Sequence, residues 1–103
     1  MFQAIVLYPH PADAQEFDSA YVKHLELLHE KTGIPATERP YTVTKFLQTP
    51  FGAPAFYQMF AISFPTLDAL QATLMSPGMQ EVNADATRIS TGGAPVVLIG
   101  STL

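Results

Sequence analysis

Four short segments of the sequence are rich in β-branched, aromatic and other apolar residues, and longer segments between them carry apolar residues at helical spacing. The first kind predicts strands and the second predicts amphipathic helices. The predicted strands are Phe2–Tyr8, Tyr41–Leu47, Ala55–Phe64 and Val96–Ile99. Proline or glycine follows or precedes most of them, as expected where a strand ends. The order of the segments is strand, helix, strand, strand, helix, strand.

Residues suited to helix ends support the helical segments. The longest helix is predicted over Ala14–Lys31, with Asp13-Ala14-Gln15-Glu16 as a capping box before it and Gly33 just after its end. A second helix is predicted to begin after Thr66, a residue type that caps helix N-termini. A short third helix is predicted to begin at Ser76-Pro77, because proline suits the first turn. The segment order therefore predicts an α+β protein of ferredoxin-like βαββαβ type, with one four-stranded antiparallel sheet and helices on one face.

At least three of the four predicted strands are apolar on both faces. In Ala55–Phe64, Phe60 and Ile62 point to one side, whereas Met59 and Ala61 point to the other. A sheet with helices on one face normally alternates apolar and polar residues, because its second face meets water. Leaving about eight apolar side chains in water would forgo on the order of 15 kcal/mol, as much as the whole stability of a typical domain. We therefore expect a homodimer in which the same sheet of a second copy covers this face.

Length and composition bound the remaining possibilities. With 103 residues, the chain is expected to form a single domain over residues 1–103. It has no cysteine, which excludes disulfides and thiolate metal sites. The net charge is −4 and the five basic residues are scattered, so we expect no nucleic-acid partner. The apolar run at the N-terminus is too short for a signal peptide or a membrane span, so we expect a cytoplasmic protein without a membrane partner.

One polar side chain, His24, lies on the apolar face of the longest helix. It shares that face with Phe17, Tyr21 and Leu28 at helical spacing. An imidazole that faces a hydrophobic interior needs a hydrogen-bond partner. Two interpretations remain open: a core histidine bonded within the protein, or a histidine that points into a ligand pocket.

The sequence offers no convincing set of metal ligands or nucleophiles. The candidate ligands are His10, His24, Glu26, His29 and Asp85. His24 and His29 are separated by ~140° around a regular helix and cannot share an ion, whereas Glu26 and His29 could share one but lie near the solvent face. There is no G-x-S-x-G motif and no phosphate-binding glycine loop. We therefore expect neither a metal nor an organic cofactor.

A series of short motifs occurs along nearly the whole chain. They are Tyr8-Pro9, Phe17-Asp18-x-x-Tyr21, Tyr57 with Phe60, Phe64, and Glu81-x-x-x-Asp85. The series resembles the EthD family, which implies that two sheets pair as a dimeric α+β barrel. Family members typically carry a histidine followed by x-Pro-Leu about four residues after the tyrosine. Here His24 follows Tyr21 by three residues and Leu27-Leu28 stands in place of the Pro-Leu pair.

The resemblance implies a small accessory or catalytic protein that acts on apolar small molecules. One hypothesis is a metal-free enzyme of the cofactor-independent oxygenase or isomerase type, with His24 as general acid/base and Tyr21 orienting it or bonding the substrate. A second is a non-catalytic homodimer that binds or carries a hydrophobic metabolite, and a third is a structural subunit with a filled core. Under the first two, residues from helix and sheet line the pocket: Tyr8, Phe17, Leu28, Met59 and Phe60.

Overall fold

A four-stranded antiparallel sheet and three helices make up the computed structural model, which describes residues 1–103. The strands are β1 (Phe2–Tyr8), β2 (Tyr41–Lys45), β3 (Gln58–Phe64) and β4 (Val96–Ser101), in the spatial order β2-β3-β1-β4. The helices are α1 (Ala14–Thr32), α2 (Leu67–Leu74) and α3 (Pro77–Ile89). The predicted ferredoxin-like α+β arrangement is confirmed.

Each helix begins at the residue type that the sequence predicts. The Asp13 side chain accepts hydrogen bonds from the backbone N–H groups of Gln15 and Glu16, both at 3.0 Å. The hydroxyls of Thr66 and Ser76 do the same for α2 and α3. The capping box of α1 is only half formed, because the Glu16 side chain makes no hydrogen bond back to Asp13. Gly33 follows α1 with a left-handed φ of 76°, which a residue without a Cβ adopts at low cost.

Three strand boundaries differ from the predicted ones, one of them because β4 continues past Ile99 to Ser101. β3 begins at Gln58 instead of Ala55, and β2 ends at Lys45 instead of Leu47. The intervening chain forms a loop that contains a tight turn, closed by two backbone hydrogen bonds between Thr49 and Gly52 at 3.0 and 3.1 Å. The loop contains two prolines, which cannot donate to a strand ladder, and this limits the extension of either strand.

The strand register decides which face of the sheet meets the helices. Tyr8 lies opposite Gln58 and Val6 lies opposite Phe60, and these side chains pack under α1 and α3. The neighbouring residues in each strand point to the other face, which no helix covers. This uncovered side of the sheet is here named the open face. Its apolar residues are Ile5, Leu7, Met59, Ala61, Val96 and Leu98.

The main hydrophobic core lies between the sheet, α1 and α3. Its cluster of ten buried residues joins the ends of β1 and β3 to the inner faces of both helices. Tyr8, Gln58 and Leu70 are the largest side chains with essentially no exposure. None of the helices has the length and apolar character that crossing a bilayer requires.

Candidate functional site

His24 and Asp85 form a hydrogen-bonded pair between α1 and α3. The apolar stripe of α1 turns His24 inward, and the packing of α3 against α1 brings Asp85 to it from 61 residues along the chain. His24 Nδ1 lies 2.8 Å from Asp85 Oδ2, so Nδ1–H donates to the carboxylate. Arg88, one turn further along α3, donates to Asp85 Oδ1 from Nε at 3.0 Å and Nη2 at 2.6 Å. His24 Nε2 has no protein partner and keeps its lone pair.

Burial and charge set the protonation of this pair. Loss of hydration lowers the pKa of the His24 imidazole and outweighs the attraction of the Asp85 carboxylate. Burial alone would raise the pKa of Asp85, but hydrogen bonds from His24 and Arg88 outweigh it and hold that pKa below its usual range. The pair at neutral pH is therefore a neutral imidazole oriented by a carboxylate, with Nε2 as an available base.

Three aromatic side chains lie beside His24 and are here named the aromatic wall: Tyr8, Phe17 and Tyr21. The Tyr21 ring lies 5.3 Å from the imidazole, stacks on Phe17 at 5.6 Å and packs edge to face with Tyr8 at 5.5 Å. Burial raises the pKa of Tyr8 to about 12 and also raises that of Tyr21. Both hydroxyls therefore stay protonated at neutral pH and can act as hydrogen-bond donors.

Two buried polar atoms near this wall have no hydrogen-bond partner: Tyr21 Oη and Gln58 Nε2. Gln58 lies opposite Tyr8 in the β1–β3 pairing and is only 2 % exposed. A buried donor without an acceptor costs about 1–3 kcal/mol. The pKa of Tyr21 nevertheless responds to hydrogen bonds with the Tyr8 hydroxyl and the Gln58 side chain, so the three groups lie close enough to bond with one another.

Two adjoining cavities extend along the sheet from this polar cluster. A recess of about 30 Å³ is lined by Tyr8 and His24, with apolar residues of β1, β3, α1 and α3. A larger cavity of about 160 Å³ continues toward α2, and its wall is mostly apolar. Five residues line both: Val6, Leu28, Phe60, Met79 and Asn83.

The structure brings most of the residues singled out from the sequence to one place. Four of them line the recess: Tyr8, His24, Leu28 and Phe60. Tyr21 and Phe17 lie against Tyr8 in the aromatic wall but line neither cavity. Met59 lies elsewhere: it pairs with Leu7 on the open face, so the sheet separates it from His24.

Sequence reasoning did not assign a partner to His24. Asp85 was recognised only within the motif Glu81-x-x-x-Asp85 and as an isolated candidate ligand, because nothing in its spacing shows that it faces α1. Gln58 left a stronger signal, since it precedes Phe60, Ile62 and Phe64 on the helix-facing side of an otherwise apolar strand. A polar residue at such a position must have a partner or a ligand.

His29 has a different environment from His24. Its Nδ1 lies 3.0 Å from the Ile34 carbonyl and 3.1 Å from that of Pro35, and its Nε2 lies 2.8 Å from the Tyr41 hydroxyl. Both ring nitrogens are therefore occupied, and the side chain ties the end of α1 to β2. No three His, Cys, Asp or Glu side chains converge to form a metal-binding group.

The sequence matches a known family over most of its length. The EthD domain model matches residues 9–92. The chain belongs to the EthD family. No curated protein sequence matches it.

Solved structures of relatives have the same fold. The structure of an ethyl tert-butyl ether D (EthD) family protein from Bacillus halodurans is 27 % identical, with a TM-score of 0.82 over 100 % of this chain and 99 % of its own. An EthD-like protein from Ralstonia eutropha is 28 % identical, with a TM-score of 0.66 over 96 % of this chain and 88 % of its own. A dimeric ferredoxin-like protein of unknown function from Jannaschia is 12 % identical, with a TM-score of 0.70 over 99 % and 100 % of the two chains.

Proposed function

We propose that this EthD protein binds an apolar small molecule between its helices and sheet, and that His24 acts on it as a general acid/base. One observation carries the proposal: the unbonded Nε2 belongs to an oriented, neutral imidazole in the wall of a recess that adjoins an apolar cavity. Small-molecule sites in proteins are typically apolar cavities with a few well-placed polar groups.

The proposed chemistry is a proton transfer at His24 Nε2. Nε2 takes a proton from an O–H or C–H group of the ligand, and the imidazolium that forms is stabilised by the Asp85 carboxylate at 2.8 Å. The proton then returns to another atom of the ligand, so that the histidine ends as it began. Asp85 is a positioning residue here, since it fixes the tautomer and ring orientation, and Arg88 holds the carboxylate in place.

The proposal includes a homodimer formed through the open face. The support is the apolar character of Ile5, Leu7 and Met59 on a face that no helix covers. The Jannaschia protein of the same fold is dimeric. Packing two such sheets together would remove apolar surface from water on both copies.

A carrier without catalysis is the second candidate. The larger cavity favours it, because ten of its thirteen lining residues are hydrophobic. The Tyr8 hydroxyl, held protonated by burial, can bind an oxygen atom in the recess but supplies no base at neutral pH. A carrier would retain ligand affinity without needing the basic nitrogen of His24.

The test is ligand binding followed by turnover in three histidine variants. Small aromatic and oxygenated compounds are expected to raise the melting temperature of the wild type by mass action. His24→Ala is expected to weaken that shift, whereas His29→Ala should retain it even if its own stability falls. If the wild type converts a bound compound and His24→Gln does not, the protein is an enzyme. Binding without conversion would identify a carrier. Equal ligand-induced shifts of the melting temperature in the wild type, His24→Ala and His29→Ala would rule out a role for His24.

A further inference from the structure

The dimensions and hydrogen-bonding groups of the two cavities restrict the compounds that fit them. We propose that the ligand is a monocyclic phenol, with its ring in the 160 Å³ cavity and its hydroxyl in the recess between Tyr8 and His24. This inference rests on the proposed binding function and names the chemical class of the ligand.

Cavity volume sets the size of the apolar part. An apolar protein cavity of about 150 Å³ holds one benzene molecule, so a cavity of about 160 Å³ accepts one six-membered ring. The recess of about 30 Å³ exceeds the ~10–15 Å³ that a cavity needs to hold one water molecule, and so has room for one hydroxyl group. A fused two-ring compound is about half again as large as benzene, and by the same ratio it needs more room than the cavity of about 160 Å³ offers.

Hydrogen-bonding capacity sets the polar group. His24 Nε2 is an acceptor, because Nδ1–H is already donated to Asp85. The Tyr8 hydroxyl in the same recess is a donor at neutral pH. A ligand hydroxyl can donate to Nε2 and accept from Tyr8 at once. An ether or ketone oxygen can only accept and would leave Nε2 without a partner, and a hydrocarbon would leave both groups without one.

The polar side chains next to Tyr8 favour a ligand oxygen in the recess. Tyr21 Oη and Gln58 Nε2 are buried without a partner at full hydrogen-bond geometry, and both residues adjoin Tyr8. When the Tyr21 hydroxyl turns toward Tyr8, the Tyr8 proton is free to point into the recess. When Gln58 donates to Tyr21 and Tyr21 donates to Tyr8, a ligand oxygen in the recess gives the Tyr8 hydroxyl an acceptor at the end of the series.

The walls favour an aromatic ring over an aliphatic one. Phe60 and Phe64 line the larger cavity and present ring faces or edges, and Met79 adds a thioether, which packs well against aromatic rings. Phenol also has the more acidic hydroxyl, which strengthens its hydrogen bond to a basic nitrogen.

The experiment compares four probes on the purified full chain by calorimetry or NMR titration: phenol, anisole, toluene and 1-naphthol. We expect the dissociation constant of phenol to be at least about tenfold lower than those of anisole and toluene, which share its ring. We expect 1-naphthol to bind at least about tenfold more weakly than phenol. In His24→Leu the preference for phenol over toluene should fall to within about twofold. The matched control is His10→Leu, the same change at an exposed histidine, which should keep the wild-type preference.

Each outcome decides a different part of the inference. Binding of none of the four probes to the wild type would overturn the proposed function itself. Toluene binding as tightly as phenol would leave cavity binding in place and overturn the hydroxyl assignment. Binding of 1-naphthol with the affinity of phenol would overturn the size limit. If His24→Leu fails to fold by circular dichroism, Tyr8→Phe replaces it: a fall in the preference for phenol over toluene supports the hydroxyl assignment, and an unchanged preference contradicts it.

Discussion

At the scale of single residues, two opposing effects act on the pKa of His24. Burial disfavours the imidazolium, whereas the Asp85 carboxylate favours it, and burial is the larger of the two. The result is a neutral histidine with one nitrogen committed to Asp85 and the other free. Such an arrangement differs from that of the half-buried His29, whose nitrogens both have protein partners.

This balance predicts that folding stability decreases in mild acid. The folded-state pKa of His24 lies below its ordinary value of 6.5, so the unfolded chain binds the proton more tightly. The free energy of unfolding should therefore fall as the pH drops below about 6.5, by at most about 1.4 kcal/mol per pH unit. Urea unfolding between pH 8 and pH 5 measures it. His24→Gln, which does not titrate, should flatten the profile, and an equally steep profile in that variant would refute the assignment.

A second loss of stability is expected at lower pH. Asp85 has a folded-state pKa below its ordinary value of 3.8, so its contribution is fully present above that value and disappears as the pH falls through the lower one. Asp85→Asn should remove this acid step and leave a more acid-resistant fold, although one that is less stable at neutral pH. Thermal unfolding from pH 5 to pH 2 distinguishes the two proteins, and parallel curves would contradict the prediction.

At the scale of elements, α1 carries most of the site and depends on its first turn. Asp13 satisfies two backbone N–H groups that α1 itself cannot pair. Asp18, further along the same helix, accepts from the Tyr57 hydroxyl at 2.9 Å and from Lys45 Nζ. These contacts anchor the loop between β2 and β3 to α1 near the aromatic wall.

Removal of the cap should destabilise the whole chain. Asp13→Ala is expected to lower the free energy of unfolding by about 0.5–2 kcal/mol, since two N–H groups lose their acceptor. Ser19→Ala, at an exposed position within α1, should change it by about 0.5 kcal/mol or less. Denaturant titration of both variants provides the comparison, and a cost at Asp13 no larger than at Ser19 would show that the cap is unimportant.

At the scale of the whole molecule, the two faces of the sheet have different roles. The face under α1 and α3 forms the core and the cavities, and the open face carries apolar side chains without a helix above them. β4, at the edge of the sheet, exposes hydrophobic residues on both faces: Val96, Val97, Leu98 and Ile99. A second copy that packs on the open face would cover part of this surface and complete the assembly.

The two faces should therefore respond differently to a charge. Met59→Asp, on the open face, should give a folded monomer or an aggregate, because a carboxylate cannot be buried at the interface without a partner. Ile62→Asp, on the helix-facing side, should unfold the chain. Val22→Asp, on the outer surface of α1 where the side chain is 60 % exposed, should leave the dimer unchanged. Light scattering measures the mass, and a wild type of only 11.2 kDa at micromolar concentration would disprove the dimer.

The sequence by itself determined the elements, their order and the inward direction of His24. Helical spacing and caps are local properties, so α1 and α3 could be placed from residue types alone, and the apolar strands indicated a second covered face. The strand ends around the Thr49–Gly52 turn were less well predicted, because apolar residues before Gln58 continue the strand pattern although the backbone leaves the ladder there.

Only the tertiary structure decided which residues share the site. Asp85 reaches His24 across 61 residues because α3 packs on α1, and no local pattern encodes that contact. The register of β1 with β3 placed Gln58 under the aromatic wall and Met59 on the open face. Successive side chains in a strand point to opposite faces, so a shift of one residue would have exchanged those two positions. Periodicity specifies that a strand has two faces, whereas packing against the helices selects which of them becomes the interior.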